Sequence, residues 1–331
     1  MKRKTILKKF ISVLIASVFF IFSFTACGLT DASIPSETGK LKIVTTVFPE
    51  YDWVMNILGD NPAGAEVILL LDNGVDLHSF QPSAKDILTI STCDLFIYVG
   101  GESDKWVEDA IKEAANQKMI TISLLDSLGD AAKEEEIVEG MQEADEDGEE
   151  EEKEYDEHVW LSLRNAPWLV EKISDALQSC DNEHAKTYAE NAKAYIDKLN
   201  ALDQKYTEAV QAATHKTLLF GDRFPFRYLT DDYGLSYYAA FSGCSAETEA
   251  SFETILFLAN KADELSLPAV MTIEGTDRRI AETIVQNTKS KDLEILTLNS
   301  LQSITKKDIA NGMTYLSVME NNLNILKKAL G

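Results

Sequence analysis

Two of the chain's four histidines stand where chemistry can be built. His78 lies in Asp76-Leu77-His78-Ser79-Phe80-Gln81-Pro82, and His158 closes a long acidic tract, with Glu149, Glu150, Glu151 and Glu152 at its heart, just before the apolar Val159-Trp160-Leu161. Two carboxylate-bearing stretches from the second half, Gly221-Asp222-Arg223 and Glu274-Gly275-Thr276-Asp277, are their counterparts. Neutral imidazole and carboxylate are donors that zinc, manganese and iron accept, so the set reads as capture of a transition-metal cation. Four such ligands nearly fill a tetrahedral shell, which favours holding an ion over activating a water on it. Structural roles compete for the same residues. Asp277 precedes a helical run and suits an N-cap, Asp222 can pair with Arg223 or Arg227, and the tract alone suits a solvated loop. His184 and His215, on and just past a long helix, read as surface residues.

What must position these residues is an alternation of strands and helices. Short β-branched runs at 43–48, 66–71, 95–99 and 119–124 are separated by helical spacing at 50–58, 82–92 and 104–115, with Ser83 and Ser103 placed to cap. Such alternation predicts an α/β fold with a parallel sheet, because parallel strands need crossover connections. A helix at 165–179 and a long uninterrupted run at 182–213 follow, the second read as a rod of about 45 Å joining two lobes. A second series of strands at 217–220, 236–241, 269–273 and 294–298, with helices at 252–264, 277–288 and 309–330, predicts a second α/β lobe. In open α/β sheets ligands sit beyond the carboxyl ends of the strands, which is where His78, His158, Asp222 and Asp277 fall.

A formal charge of −24 excludes nucleic acid as a partner, since phosphate binding needs a basic face. It concentrates cations instead. Residues 1–26, a basic start and then an apolar run too short for a comfortable membrane span, read as a secretory signal. The run ends in Phe24-Thr25-Ala26-Cys27-Gly28, which resembles the lipobox of bacterial lipoproteins and makes Cys27 the lipidated first residue of the mature chain. Residues 27–40 are then a tether. Cys93, Cys180 and Cys244 share no metal-type spacing, so no cysteine zinc site is expected from them. The resulting organisation is a first lobe over 41–164 carrying an acidic loop at 130–157, helices over 165–215 including the connecting rod, and a second lobe over 216–331.

The segments around His78 and His158, the latter Asp156-Glu157-His158-Val159-Trp160-Leu161-Ser162 followed by Asn165-Ala166, resemble the two histidine motifs of the metal-binding lipoproteins of zinc and manganese ABC importers. The resemblance runs from about Lys42 to the C-terminal helix. It implies two Rossmann-like lobes bridged by one rigid helix, one metal in the interlobe cleft, delivery to a membrane permease, a lipid anchor and a monomer, with no enzymatic activity. Where zinc-type members carry a third histidine this chain has Arg223, which cannot bind a cation; Asp222 beside it is the expected replacement, with Glu247 and Glu249 in reserve. Glu274-Gly275-Thr276-Asp277-Arg278-Arg279 resembles manganese-type members, which makes Asp277 the fourth ligand and Glu274 a reserve. The acidic loop is a zinc-type trait, so zinc is the expected cargo and manganese the alternative. Two other readings use the same residues: a metallohydrolase with Glu157 or Glu247 as general base, and a surface adhesin with a vestigial site.

Overall fold

The computed structural model describes residues 40–141, 154–245 and 249–331. The signal segment with Cys27, the tether up to residue 39, the centre of the acidic tract and Glu247 lie outside these residues. The first lobe runs β1 (Lys42–Thr45), α1 (Phe48–Leu58), β2 (Glu66–Leu69), α2 (Ala84–Ser91), β3 (Leu95–Tyr98), α3 (Trp106–Lys112), β4 (Ile120–Ser123) and α4 (Leu124–Leu128). Its four strands are parallel in the order β2-β1-β3-β4. Leu95, Phe96 and Ile97 of β3 are all buried, as a strand covered on both faces requires.

Ser83 caps α2 as its position predicts, and Asp86 reaches back to the Ser83 backbone N–H to complete a capping box. Ser103 does not cap. A 3-10 turn at Glu102–Asp104 intervenes before α3, which leaves the Ser103 hydroxyl free for another partner.

Helices α5 (Asn165–Cys180) and α6 (Ala185–Ala212) follow. The 28 residues of α6 extend about 42 Å. Its first half meets α1, where Tyr195 donates to Asp52 at 3.0 Å and Asn191 to the Ile57 carbonyl at 3.0 Å. Near its other end Tyr206 donates to the Met319 carbonyl at 2.7 Å and stacks on Tyr233. The second lobe comprises β5 (Thr217–Phe224), α7 (Arg227–Tyr233), β6 (Ser236–Ser242), α8 (Phe252–Glu264), β7 (Ala269–Ile273), α9 (Arg279–Asn287), β8 (Glu294–Leu298), α10 (Lys306–Ala310) and α11 (Tyr315–Leu330). Its parallel sheet is ordered β6-β5-β7-β8, so both lobes share one topology. One hydrophobic core runs from Ile43 and Trp53 through Tyr188 and Tyr206 to Leu218 and Tyr315, tying the lobes together.

A second buried group sits at the head of α1. The Glu50 carboxyl, fully buried, accepts from the Thr46 backbone N–H at 2.8 Å and the Val47 N–H at 3.3 Å. Burial, with Asp104 nearby, pushes its pKa from 4.5 up to about 8. The folded chain therefore holds a proton that the unfolded chain releases. The group's stabilising contribution is complete below about 4.5 and is lost as pH rises to about 8. We expect Glu50→Gln to be more stable than wild type at pH 8–9, by on the order of a few kcal/mol, with the gap closing toward pH 5. Denaturant midpoints across that range measure it, and parallel pH profiles for the two proteins would contradict the assignment.

Candidate metal site

Both histidines are presented by the same local device. After β2, a 3-10 turn at Leu77–Ser79 is held by Asp76, whose Oδ1 accepts the His78 backbone N–H at 3.0 Å. In the other segment Asp156 Oδ1 accepts the His158 backbone N–H at 2.8 Å. The two turns aim their imidazoles at one point, with Nε2 of His78 and Nε2 of His158 3.2 Å apart. Zn–N bonds of about 2.0–2.1 Å at a tetrahedral angle place two ligand nitrogens about 3.3 Å apart, so this spacing fits one shared cation. Cys244, just past β6, completes the cluster: one ligand atom from each of the three residues lies within 4.8 Å of the others.

The outward nitrogens are fixed as well. Asp156 Oδ1 lies 3.0 Å from His158 Nδ1, which keeps a proton on that nitrogen and leaves Nε2 as a donor to a metal. His78 Nδ1 meets Ser103 Oγ at 2.8 Å and lies 3.4 Å from Glu157 Oε2. Glu157 Oε1 accepts the Ser103 N–H at 2.8 Å, and burial raises its pKa to about 7. Gly101, at φ +82°, makes room for this carboxylate: a Cβ there would lie 2.5 Å from Glu157 Oε1. Burial and the neighbouring His158 charge push His78 down to about 3. Burial also opposes charge on His158, but Asp156, with Glu157 and Asp76 behind it, outweighs that and raises it. The two environments thus differ: the surroundings of His78 disfavour its charged form and those of His158 favour it.

The carboxylates expected from the second lobe are placed elsewhere. The β5 strand does not stop at Phe220 but continues through an irregularity to Phe224, which puts Asp222 inside it. There Asp222 Oδ2 accepts from the Ile273 N–H at 3.1 Å and from the Thr276 hydroxyl at 2.8 Å, while Oδ1 accepts the Arg223 N–H at 2.9 Å. Its work is to tie β5 to the end of β7. Asp277 is exposed and ion-paired with Arg279, whose backbone N–H it also accepts. Glu274 is turned to Ser300, accepting from its N–H and hydroxyl at 2.7 Å each. Glu249 is exposed and outside the cluster. Among the described residues only His78, His158 and Cys244 form a metal-capable group. Sequence spacing missed Cys244 because its partners are neighbours in space alone.

Arg223 has its own task. Its Nη2 pairs with Asp76 Oδ2 at 2.7 Å across the lobes, and its Nη1 donates to the Ser245 carbonyl at 3.4 Å. The ends of the expected acidic loop are likewise built into the fold. Lys133 donates its N–H to Tyr228 Oη at 2.9 Å, Glu136 pairs with Arg227, and Glu135 Oε1 accepts the Cys244 N–H at 2.8 Å. Residues 133–136 thus strap the first lobe to the second.

Comparison with known proteins gives a consistent picture. The family model described as "ZnuA: Zinc-uptake complex component A periplasmic" matches residues 43–329. The zinc-binding lipoprotein AdcA of Streptococcus pneumoniae is 35% identical over 323 residues, covering 97% of this chain and 61% of AdcA. The chain thus spans less than two thirds of that relative. The high-affinity zinc uptake system protein ZnuA of Bacillus subtilis is 29% identical over 320 residues, covering 96% of each chain. The crystal structure of the Zn(II)-bound ZnuA-like domain of Streptococcus pneumoniae AdcA superposes with a TM-score of 0.69 at 32% identity, covering 88% of this chain and 99% of that domain.

Proposed function

The chain belongs to the ZnuA family of periplasmic zinc-uptake components, and from that membership we propose that it captures a zinc ion between its lobes and delivers it to the membrane permease of an ABC importer. The observation that carries this reading is the pair of inward Nε2 atoms 3.2 Å apart, each ring held by a turn and with its Nδ1 engaged, that of His158 by Asp156 and that of His78 by Ser103. Zinc is the cargo; the chain's own residues bind, orient and desolvate it. Asp156 and the Ser103–Glu157 pair steer the rings, and Trp160, fully buried and edge-on to His158, excludes water from behind. The acidic surface raises the local cation concentration.

The same reading makes Cys27 a lipid anchor that keeps the protein outside the cytoplasmic membrane beside its permease, with the lobe boundaries at 41–164 and 216–331. Protein purified without chelator is expected to contain about one zinc per chain, and zinc to displace manganese when the two compete at equal concentration. Bound manganese that zinc fails to displace, or no metal after zinc dialysis, would overturn the reading.

A further inference from the structure

We infer that the second lobe binds the cargo through the Cys244 thiolate, making the site a two-histidine, one-cysteine centre. The inference rests on zinc capture by His78 and His158 and adds the third ligand. β5 offers the cation nothing at the expected place, because Arg223 is committed to Asp76 and Asp222 to Ile273 and Thr276. The loop after β6 approaches instead. Gly243 lies directly on the His158 ring: a Cβ there would sit 3.1 Å from Cε1 and 3.0 Å from the Phe224 carbonyl oxygen. The next residue is Cys244, a free thiol. Its backbone is pinned on one side by Glu135 and, through the Ser245 carbonyl, by Arg223 on the other.

The geometry is near completion. A tetrahedral ion with bonds of about 2.0 Å to nitrogen and 2.3 Å to sulfur spans an N···S edge of roughly 3.6 Å. The cluster's ligand atoms lie within 4.8 Å of one another, so an approach of at most about 1.2 Å by the Cys244 loop closes the set. On binding, the S–H bond breaks, the Zn–S bond forms, and the proton leaves to solvent. A soft thiolate among imidazoles favours zinc over manganese, which prefers oxygen donors. Selectivity then resides in the second lobe, and the histidines supply the anchor.

Cobalt(II) loading tests this. The wild-type protein should show an intense near-ultraviolet sulfur-to-cobalt charge-transfer band. Cys244→Ser should lose that band, keep the weaker visible bands of histidine-bound cobalt, and bind zinc about tenfold or more weakly with a smaller zinc-over-manganese preference. Zinc should also shield Cys244 from iodoacetamide, with Cys93 and Cys180 as internal controls in the same chain. Cobalt bound with visible bands but no charge-transfer band, and no protection of Cys244 by zinc, would overturn the thiolate ligand and leave histidine capture standing. A wild-type protein that binds neither cobalt nor zinc would overturn both.

Discussion

A His78→Ala, His158→Ala double variant should lose tight zinc binding. Outer-shell substitutions around a metal ligand already cost roughly 10–100-fold in affinity, and here two of the proposed ligands themselves are gone. The expected loss exceeds 100-fold, or about 3 kcal/mol. Calorimetric titration reads it directly. Thermal unfolding gives an independent readout, because an ion that binds only the folded chain stabilises it by about 4 kcal/mol at a thousand times its dissociation constant. Wild type should show that zinc-dependent rise in melting temperature and the double variant should not. Both imidazoles are removed together for a physical reason. With only one gone, the other would keep its Asp156 or Ser103 partner and still offer an Nε2 beside the Cys244 thiol. Zinc titrating the double variant as tightly as wild type would place the cargo elsewhere.

The sequence made the fold legible because each lobe is written in short apolar strands and amphipathic helices, whose periods differ enough to separate. The strand-end rule then located His78 and His158. It failed for the second lobe where local and long-range structure diverged. Phe220 reads as the end of a strand, yet β5 carries on for four more residues to Phe224. The backbone N–H that claims Asp222 belongs to Ile273, 51 residues away. Asp277 is claimed by Arg279, two residues on. This is the local role a carboxylate at a helix start competes for. The same strands that hide Asp222 expose why an arginine stands at 223, since its partner Asp76 is 147 residues distant and in the other lobe. Cys244 was passed over because metal-ligand spacing in sequence applies to sites built within one turn or hairpin. A cluster assembled from two lobes, as His78, His158 and Cys244 are, has no such spacing. The acidic tract was legible as composition, but its strap of Lys133 to Glu136 depends on Tyr228, Arg227 and the Cys244 N–H, none of which charge alone could reveal.

Trp160→Ala should cost about 3–5 kcal/mol of folding stability, the range for losing a large aromatic from a packed core. The indole is fully buried, its N–H donates to the Ser300 carbonyl at 2.9 Å, and its own carbonyl accepts the Tyr315 hydroxyl at 2.7 Å. Both partners belong to the second lobe, while Trp160 itself follows His158 by two residues. The side chain therefore pins the His158 turn to the opposite lobe. Removing it leaves a cavity behind His158 and a buried Ser300 carbonyl without its donor, so zinc affinity should fall together with stability. Trp160→Phe separates the two terms. It restores most of the volume and leaves the carbonyl unpaired, at about 1–3 kcal/mol. Denaturant unfolding with an unchanged m-value gives the stability difference, and zinc titration of the folded variants gives the second. The Ser300 turn is in turn held by Glu274, which accepts from its N–H and hydroxyl. If Trp160→Ala unfolds within about 0.5 kcal/mol of wild type, as a surface substitution would, the indole adds nothing to the join made by α6, the 133–136 strap and the Arg223–Asp76 pair. The His158 turn would then owe its position to Asp156.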